Sequence, residues 1–526
     1  MTTRPRAGKP RRRSAPARKP GSGRPAAPGR RPTRRPATRP ARARGRAERR
    51  PPPLRPEAPA ARPAPAARLV RPVAAEGGLG AWTDLYQLTM AAAYHVNRMA
   101  DTATFELFVR HLPPNRGFLV VAGIEEVLDF LERVRFDEAD LEYLRTLPQL
   151  RGVPEDFWTY LARFRFAGDV RAMPEGTPAF ANEPLLQITA PLPEAQLVET
   201  YVLAAVNFAT LIASKAARVV AAAAGRAVVD FGFRRAHGPH AAVAAARAAY
   251  IGGCIGTSNV EAGRRFGLPV YGTASHAFVM ACPSETEAFQ RYHRAFPGEM
   301  LLLIDTYDTL QGVKRAIALG DPLKGVRLDS GDLLALSREV RRMLDDAGYR
   351  DANIVASGDL DEFRIAELLA AGAPIDTFGV GTALVTSRDA PALEGVYKLV
   401  ELGEGSQAQG RIKTSSGKET LPGRKQVFRA YDAAGRPVGD RIARIAELPR
   451  PGEQPLLQPV MRAGRRVAPP PPLDRLRAHA AEAIRRLPEG LRLLQNPAPY
   501  PVTVSEALRR LTDELRREIH DAEDSA

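Results

Sequence analysis

Residues 324–384 read KGVRLDSGDLLALSREVRRMLDDAGYRDANIVASGDLDEFRIAELLAAGAPIDTFGVGTAL, and their rhythm decides the fold. Three short apolar runs, KGVRLD, NIVASG and IDTFGVG, alternate with helix-length amphipathic stretches such as LALSREVRRMLDDAG. Strands alternating with helices predict parallel βα units, arranged as a barrel or a doubly wound sheet. The first run ends at Asp329, Ser330 and Asp332, the second at Ser357 and Asp359, the third at Gly379 through Thr382. In a βα barrel the C-terminal ends of the strands converge on one face, and that face carries the active site.

The same texture extends upstream to about residue 225. RAVVDFGF, LPVYGT and MLLLID read as further strands, with the Ala-rich helix AAVAAARAAYIGG between the first two. Their ends carry Arg234 and Arg235, then Ser275 and His276, then Asp305. Six polar strand ends in register favour a barrel over an open sheet, and the barrel is expected over residues 201–396. Residues 76–200 read as a second, α+β domain. Helix (TDLYQLTMAAAYHV), strand (TATFELFVRHL) and helix (GIEEVLDFL) are followed by short β segments split by Pro and Gly. Residues 397–470 read as antiparallel strands rejoining that domain, and after the prolines at 469–472 two helices are expected within 471–526.

The chain has 526 residues, 44% of them hydrophobic, and a net charge of +17. That charge is not spread evenly. Residues 1–72 hold 23 Lys/Arg against Glu48 and Glu57, a net of +21, so the remainder has 53 basic and 57 acidic residues, a net of −4. A mildly acidic body presents no basic face for a polyanion. The first 75 residues, Pro-, Arg- and Ala-rich without hydrophobic period, are expected to be a disordered tail, because they cannot bury enough surface to offset the entropy of ordering. Any nucleic-acid binding is expected through that tail alone. Two cysteines, Cys254 and Cys282, make neither a disulfide framework nor a metal cluster and point to the cytoplasm. No apolar run reaches the roughly 18 residues of a membrane span, and no signal-peptide core opens the chain.

The chemistry concentrates in GVRLDSGDL, residues 325–333. Arg327 and Asp329, two apart, share one face of a strand. A guanidinium suits phosphate or carboxylate, and carboxylates suit ribose hydroxyls or a hydrated magnesium ion, with Asp332 a further candidate ligand. A local salt bridge between Arg327 and Asp329 accounts for the same spacing. FGVGTALVTS, residues 378–387, and ASGDLDEF, residues 356–363, each run a strand into a Gly-containing turn whose bare amides suit a phosphate. His276 follows a strand, and Asp305, at the end of the next, is placed to accept a hydrogen bond from one ring nitrogen and leave the other nucleophilic. Walker, zinc and serine-hydrolase signatures are absent from the sequence.

With these residues in view, the chain resembles the nicotinate phosphoribosyltransferase family over about residues 80–515. The segments are TDLYQLTM, FELFVR, FGFRRAHG, GTSNVEAG, GTASHAF, GVRLDSGD, FGVGTALVTS, GVYKLV, PGRKQVFR and LPEGLRLLQNPAPYP. The resemblance implies an irregular βα barrel of the type II phosphoribosyltransferase kind with a second α+β domain, working as a homodimer. It implies that His276 is transiently phosphorylated by ATP with Asp305 as its orienting partner, and that Arg327 and Thr273 lie on nicotinate. Tyr86 would reach the base from the neighbouring subunit, and Arg234 would help hold the substrates. Gly358, Gly379, Gly381 and Thr382 would bind the ribose phosphate of phosphoribosyl pyrophosphate, with magnesium and ATP as the further requirements. Asp230 stands where relatives often carry glutamate, and an aspartate there also resembles nicotinamide-using enzymes. The pair Arg234 and Arg235 favours the acid. A nicotinamide- or quinolinate-using relative, and a nucleic-acid-binding protein acting through the tail, are the alternative readings.

Overall fold

The computed structural model describes residues 78–524 apart from Glu299, Asp321 and Pro322, and all of these lie in one compact unit. The expected tail, residues 1–75, falls outside them.

Six parallel strands form the sheet that carries the strand-end residues. Their spatial order is Gly256–Thr257, Ala227–Asp230, Thr377–Val380, Asn353–Ala356, Leu323–Leu328, Met300–Leu303. The last strand in sequence therefore pairs with the first, Gly379 opposite Val229 and Val380 opposite Asp230. A doubly wound sheet starts near its middle and grows outward in both directions, whereas here chain order runs round a ring. The ring is open on one side. Among the described residues LPVYGT contributes a single bridge, Val270 to Thr257, and no ladder joins Val270 to Met300. Two expectations are corrected here: that run is not a full strand, and Gly256–Thr257 is a strand where none was expected. A two-residue strand is too short to leave a periodic signature.

The strands form where apolar side chains find cover on the sheet. Val326, Ile354 and Phe378 are fully buried on three neighbouring strands, each contributing roughly 1.5–3 kcal/mol by burial. The helices that follow three strands start on aspartate caps: Asp308 before Thr309–Ala318, Asp332 before Leu333–Asp346, Asp361 before Glu362–Ala370. Each carboxylate accepts backbone N–H groups that the first turn cannot satisfy internally.

The second half of the fold is a seven-stranded sheet. Thr102–Val109 lies inside it, antiparallel both to the central strand Pro184–Pro191 and to Gly395–Leu402. A smaller sheet joins Lys425–Tyr431, Pro437–Arg444, Glu453–Pro455 and Val502–Val504. The 24-residue helix Glu199–Ala222 ties the two halves together. Val202 and Val206 belong to the core under the antiparallel sheet, and Ile212, Ala216 and Val219 to the core around the ring. It is long and apolar enough to pass for a membrane span, against the expectation that no such run exists, yet 78% of its most apolar window is buried inside the fold. One of its buried residues is a lysine, Lys215.

Candidate active site

Because the strands run parallel, Asp230, Asp305, Asp329, Ser357 and Gly381 all emerge at one end of the ring. Arg327 sits at its centre. Register fixes its neighbours, with Arg327 opposite Leu303 on one side and Val355 on the other. Its guanidinium donates from Nε to Ser357 Oγ at 2.8 Å, from Nη1 to Thr273 Oγ1 at 2.9 Å and from Nη2 to Asp329 Oδ1 at 2.6 Å. The ring of Phe231 lies against it, 5.5 Å from centroid to guanidinium carbon. Four separate segments thus immobilise one planar cation, so little rotamer entropy remains to be lost when it meets an anion. The local salt bridge and the functional arrangement are the same object.

Asp329 is partly buried, which by itself raises a carboxyl pKa. Hydrogen bonds from Ser357 and Arg327, with the Arg327 charge and His276 nearby, outweigh that and hold it below the usual carboxylate value.

His276 opens the short helix His276–Met280. Its Nδ1 shares a 3.1 Å hydrogen bond with Thr306 Oγ1. Its Nε2 faces two carboxylates, 3.8 Å from Asp329 Oδ2 and 4.0 Å from Asp305 Oδ1. The expected hydrogen bond from the ring to Asp305 is therefore not made, and Thr306 takes that place. Asp305 is committed elsewhere: its Oδ2 accepts the Asp329 N–H at 2.9 Å and the Ser330 hydroxyl at 2.8 Å. Its Oδ1 is buried without a hydrogen-bond partner.

The two Gly-containing turns flank this cluster. Gly358 has φ +91°, and a Cβ there would stand 2.0 Å from the Asp329 carbonyl oxygen. Gly379 passes so close to Phe231 that a Cβ would meet the ring at 2.3 Å. Both close approaches exclude any side chain. Gly381 and Thr382 follow, Thr382 opening the four-residue helix Thr382–Val385.

Three expected site residues stand apart. Asp332 Oδ1 accepts the Leu334 and Ala335 N–H groups at 3.1 and 3.2 Å, so one oxygen of its carboxylate is a helix cap. Asp332→Ala is accordingly expected to lower stability by about 1 kcal/mol while leaving the KM values of both substrates within twofold, measured by thermal melts and steady-state rates. A tenfold rise in either KM would return Asp332 to the site. Arg234 is exposed on the turn Phe233–Arg235, on the same rim but with no side-chain partner among the described residues. Tyr86 lies on Leu85–Val96, 48% exposed, near Asp84, Glu199 and Thr200 and outside the cluster in a single chain. Phe231 and Thr306 complete the contacts of Arg327 and His276 without any local sequence signal that marks them.

Family models of the nicotinate phosphoribosyltransferase N-terminal and C-terminal domains match residues 82–207 and 452–512. Between them, residues 212–390 match the C-terminal domain of quinolinate phosphoribosyl transferase. Over 447 residues the chain is 51% identical to nicotinate phosphoribosyltransferase pncB2 of Mycobacterium tuberculosis, covering 84% of this chain and 94% of that protein. The chain belongs to the nicotinate phosphoribosyltransferase family. A Bacillus subtilis nicotinate phosphoribosyltransferase is 45% identical over 379 residues, 70% of this chain and 76% of that one. The crystal structure of human nicotinic acid phosphoribosyltransferase superposes with a TM-score of 0.73 at 32% identity, covering 82% of this chain and 99% of the human one.

Asp230 closes the neighbouring strand Ala227–Asp230. It is buried, and its two oxygens accept the Gly232 N–H and the Thr257 hydroxyl, each at 2.8 Å. Burial raises its pKa, and the hydrogen bonds from Thr257 and Gly232 offset part of that rise.

Proposed function

We propose that the chain transfers the phosphoribosyl group of phosphoribosyl pyrophosphate to nicotinate, giving nicotinate mononucleotide and pyrophosphate, coupled to ATP hydrolysis. The observation that carries this reading is the Arg327 guanidinium, held by Thr273, Ser357 and Asp329 at the end of the parallel ring. Its planar fork matches a carboxylate, which nicotinate has and nicotinamide lacks.

In the transfer the bond from ribose C1 to the pyrophosphate oxygen breaks and a bond from the pyridine nitrogen forms. Positive charge develops on the sugar and negative charge on the leaving group. Arg327 and Thr273 orient the base through its carboxylate. Gly358, Gly379, Gly381 and Thr382 bring backbone close to the ribose phosphate. Asp329, kept ionised, faces the sugar. The open donors Asp305 Oδ1 and Asp329 Oδ2 suit a magnesium ion that arrives on the substrate's phosphates. Magnesium, when bound, neutralises the departing pyrophosphate. His276 accepts the γ-phosphoryl group of ATP with release of ADP, and water later takes that group from the ring as inorganic phosphate; the site is completed in a homodimer, with Tyr86 of a second copy reaching the base.

Product analysis with phosphoribosyl pyrophosphate, magnesium and ATP, offering nicotinate, nicotinamide or quinolinate in turn, tests the reading. Nicotinate is expected to give its mononucleotide at a rate at least tenfold above the other two. Faster turnover of nicotinamide or quinolinate would overturn the assignment of the base.

A further inference from the structure

Behind the two Gly-containing turns the fold buries a set of charges that the chemistry above leaves unused. The turn at Ser357–Asp359 runs into Glu362–Ala370, whose first residue, Glu362, is fully buried. The turn at Gly379–Thr382 runs through Thr382–Val385 to Ser387 and Asp389. One ammonium joins the far ends of both. Lys215 Nζ, from the long core helix, donates to Glu362 Oε2 at 2.5 Å and to Asp389 Oδ1 at 2.7 Å. Arg218, one turn further along that helix, reaches Glu362 Oε1 at 2.9 Å. From the antiparallel half, Arg116 donates to Asp389 Oδ2 at 2.7 Å and to Ser387 Oγ at 3.3 Å.

Three cations thus face two carboxylates, and the side chains of Arg116, Lys215 and Glu362 are at most 2% exposed. Burying charge is costly, and such a network persists only when every member is in place. The segment it holds is strained as well. Ser387 is fully buried at φ +41°, a conformation that a non-glycine residue keeps only where its surroundings over-determine it. Hydrogen bonds donated by Arg116 and Lys215, together with the charges of those two cations, outweigh the burial of Asp389 and hold its carboxyl far below the usual range.

We infer that Asp389, Lys215 and Arg116 are positioning residues that set the spacing between the two turns that take the ribose phosphate. The inference rests on the function proposed above. Its content is that the turns behave as one binding element, and that a buried charge network carrying one excess cation holds them in register.

The test uses ribose 5-phosphate and the full-length protein. Asp389→Asn keeps the shape of the side chain and removes its charge. Titration calorimetry is expected to show ribose 5-phosphate binding about tenfold weaker in this variant, with the KM for phosphoribosyl pyrophosphate rising in parallel. The KM for nicotinate is expected to stay within twofold. Asp389→Glu, which restores the charge, is expected to recover most of the affinity. Asp137→Asn, which disturbs a capping box on the helix Glu138–Thr146 far along the chain, serves as the stability control. It is expected to lower the melting temperature without altering ribose 5-phosphate binding. Unchanged affinity in folded Asp389→Asn, or an equal loss for nicotinate, overturns the inference. If the wild type binds ribose 5-phosphate but makes no nicotinate mononucleotide, the proposed reaction fails while the calorimetric comparison still judges the network. If the wild type does not bind ribose 5-phosphate, the turns are not a phosphate site and the inference falls with them. Should Asp389→Asn fail to fold, Arg116→Lys, which retains a cation but loses the bidentate fork, carries the same expectation with a smaller shift.

Discussion

Arg327→Ala is expected to lower kcat/KM for nicotinate by about a hundred- to a thousandfold, while the protein still folds. The size follows from what is removed. Charge-assisted hydrogen bonds contribute about 1.5–3 kcal/mol each, and the guanidinium offers a carboxylate two of them in parallel. Loss of one pair, about 3–6 kcal/mol, corresponds to about two to four decades in affinity or rate, and the lower part of that range is expected because water partly replaces the lost donors. The variant also unpairs Asp329, now bound to Arg327 Nη2 at 2.6 Å, although Ser357 continues to donate to that carboxylate. A fall of a few degrees in the melting temperature is expected from that change. Arg327→Lys separates the two effects. It keeps the charge beside Asp329, so stability should return almost to that of the wild type, but an ammonium cannot span Ser357, Thr273 and Asp329 at once, so catalytic efficiency should recover only in part. Steady-state kinetics for both substrates with thermal melts on the two variants decide the matter. Unchanged apparent affinities for nicotinate and phosphoribosyl pyrophosphate in Arg327→Ala would remove Arg327 from the site.

The same residue shows what was legible in the sequence. Spacing by two places Arg327 and Asp329 on one face of a strand, and this needs no knowledge of neighbouring strands. That Phe231 lies against the guanidinium and Thr273 accepts from it depends on the order and register of strands far apart in sequence, which no local pattern encodes. The ring was legible from polar residues at the strand ends, but such residues serve two purposes. Asp305 and Asp329 meet at the mouth, whereas Asp308, Asp332 and Asp361 cap the helices that follow. A carboxylate within five residues of a strand's end satisfies either role, and only the helix start separates them. Lys215 was hidden for the opposite reason. Surrounded by alanine, valine and leucine in an apolar helix, it gives no motif, and its importance lies in Glu362 and Asp389, about 150 or more residues away in sequence.

The histidine presents the clearest division between binding and coupling. His276→Asn is expected to abolish stimulation by ATP while leaving slow ATP-independent synthesis of nicotinate mononucleotide. In this cluster the imidazole is the group suited to accept a phosphoryl group and release it readily, whereas orientation of the base depends on Arg327 and Thr273 and that of the ribose phosphate on the glycine turns. The contacts of the ring define the expected chemistry. Thr306 holds Nδ1, which leaves Nε2 facing the space between Asp305 and Asp329. Asparagine is polar, similar in reach and able to keep a hydrogen bond to Thr306, so the pocket should survive the change. Asp305 and Asp329 keep their own partners in Ser330, Ser357 and Arg327 and do not depend on the ring. Incubation of wild type with γ-labelled ATP is expected to leave label on the protein that is lost in acid and stable in base, as for a phosphoramidate. Label of the same stability on His276→Asn, or full ATP stimulation in that variant, would show that another residue is phosphorylated. Complete loss of the ATP-independent reaction as well would mean that the imidazole acts directly in ribosyl transfer, with Nε2 between the two carboxylates as the atom to examine next.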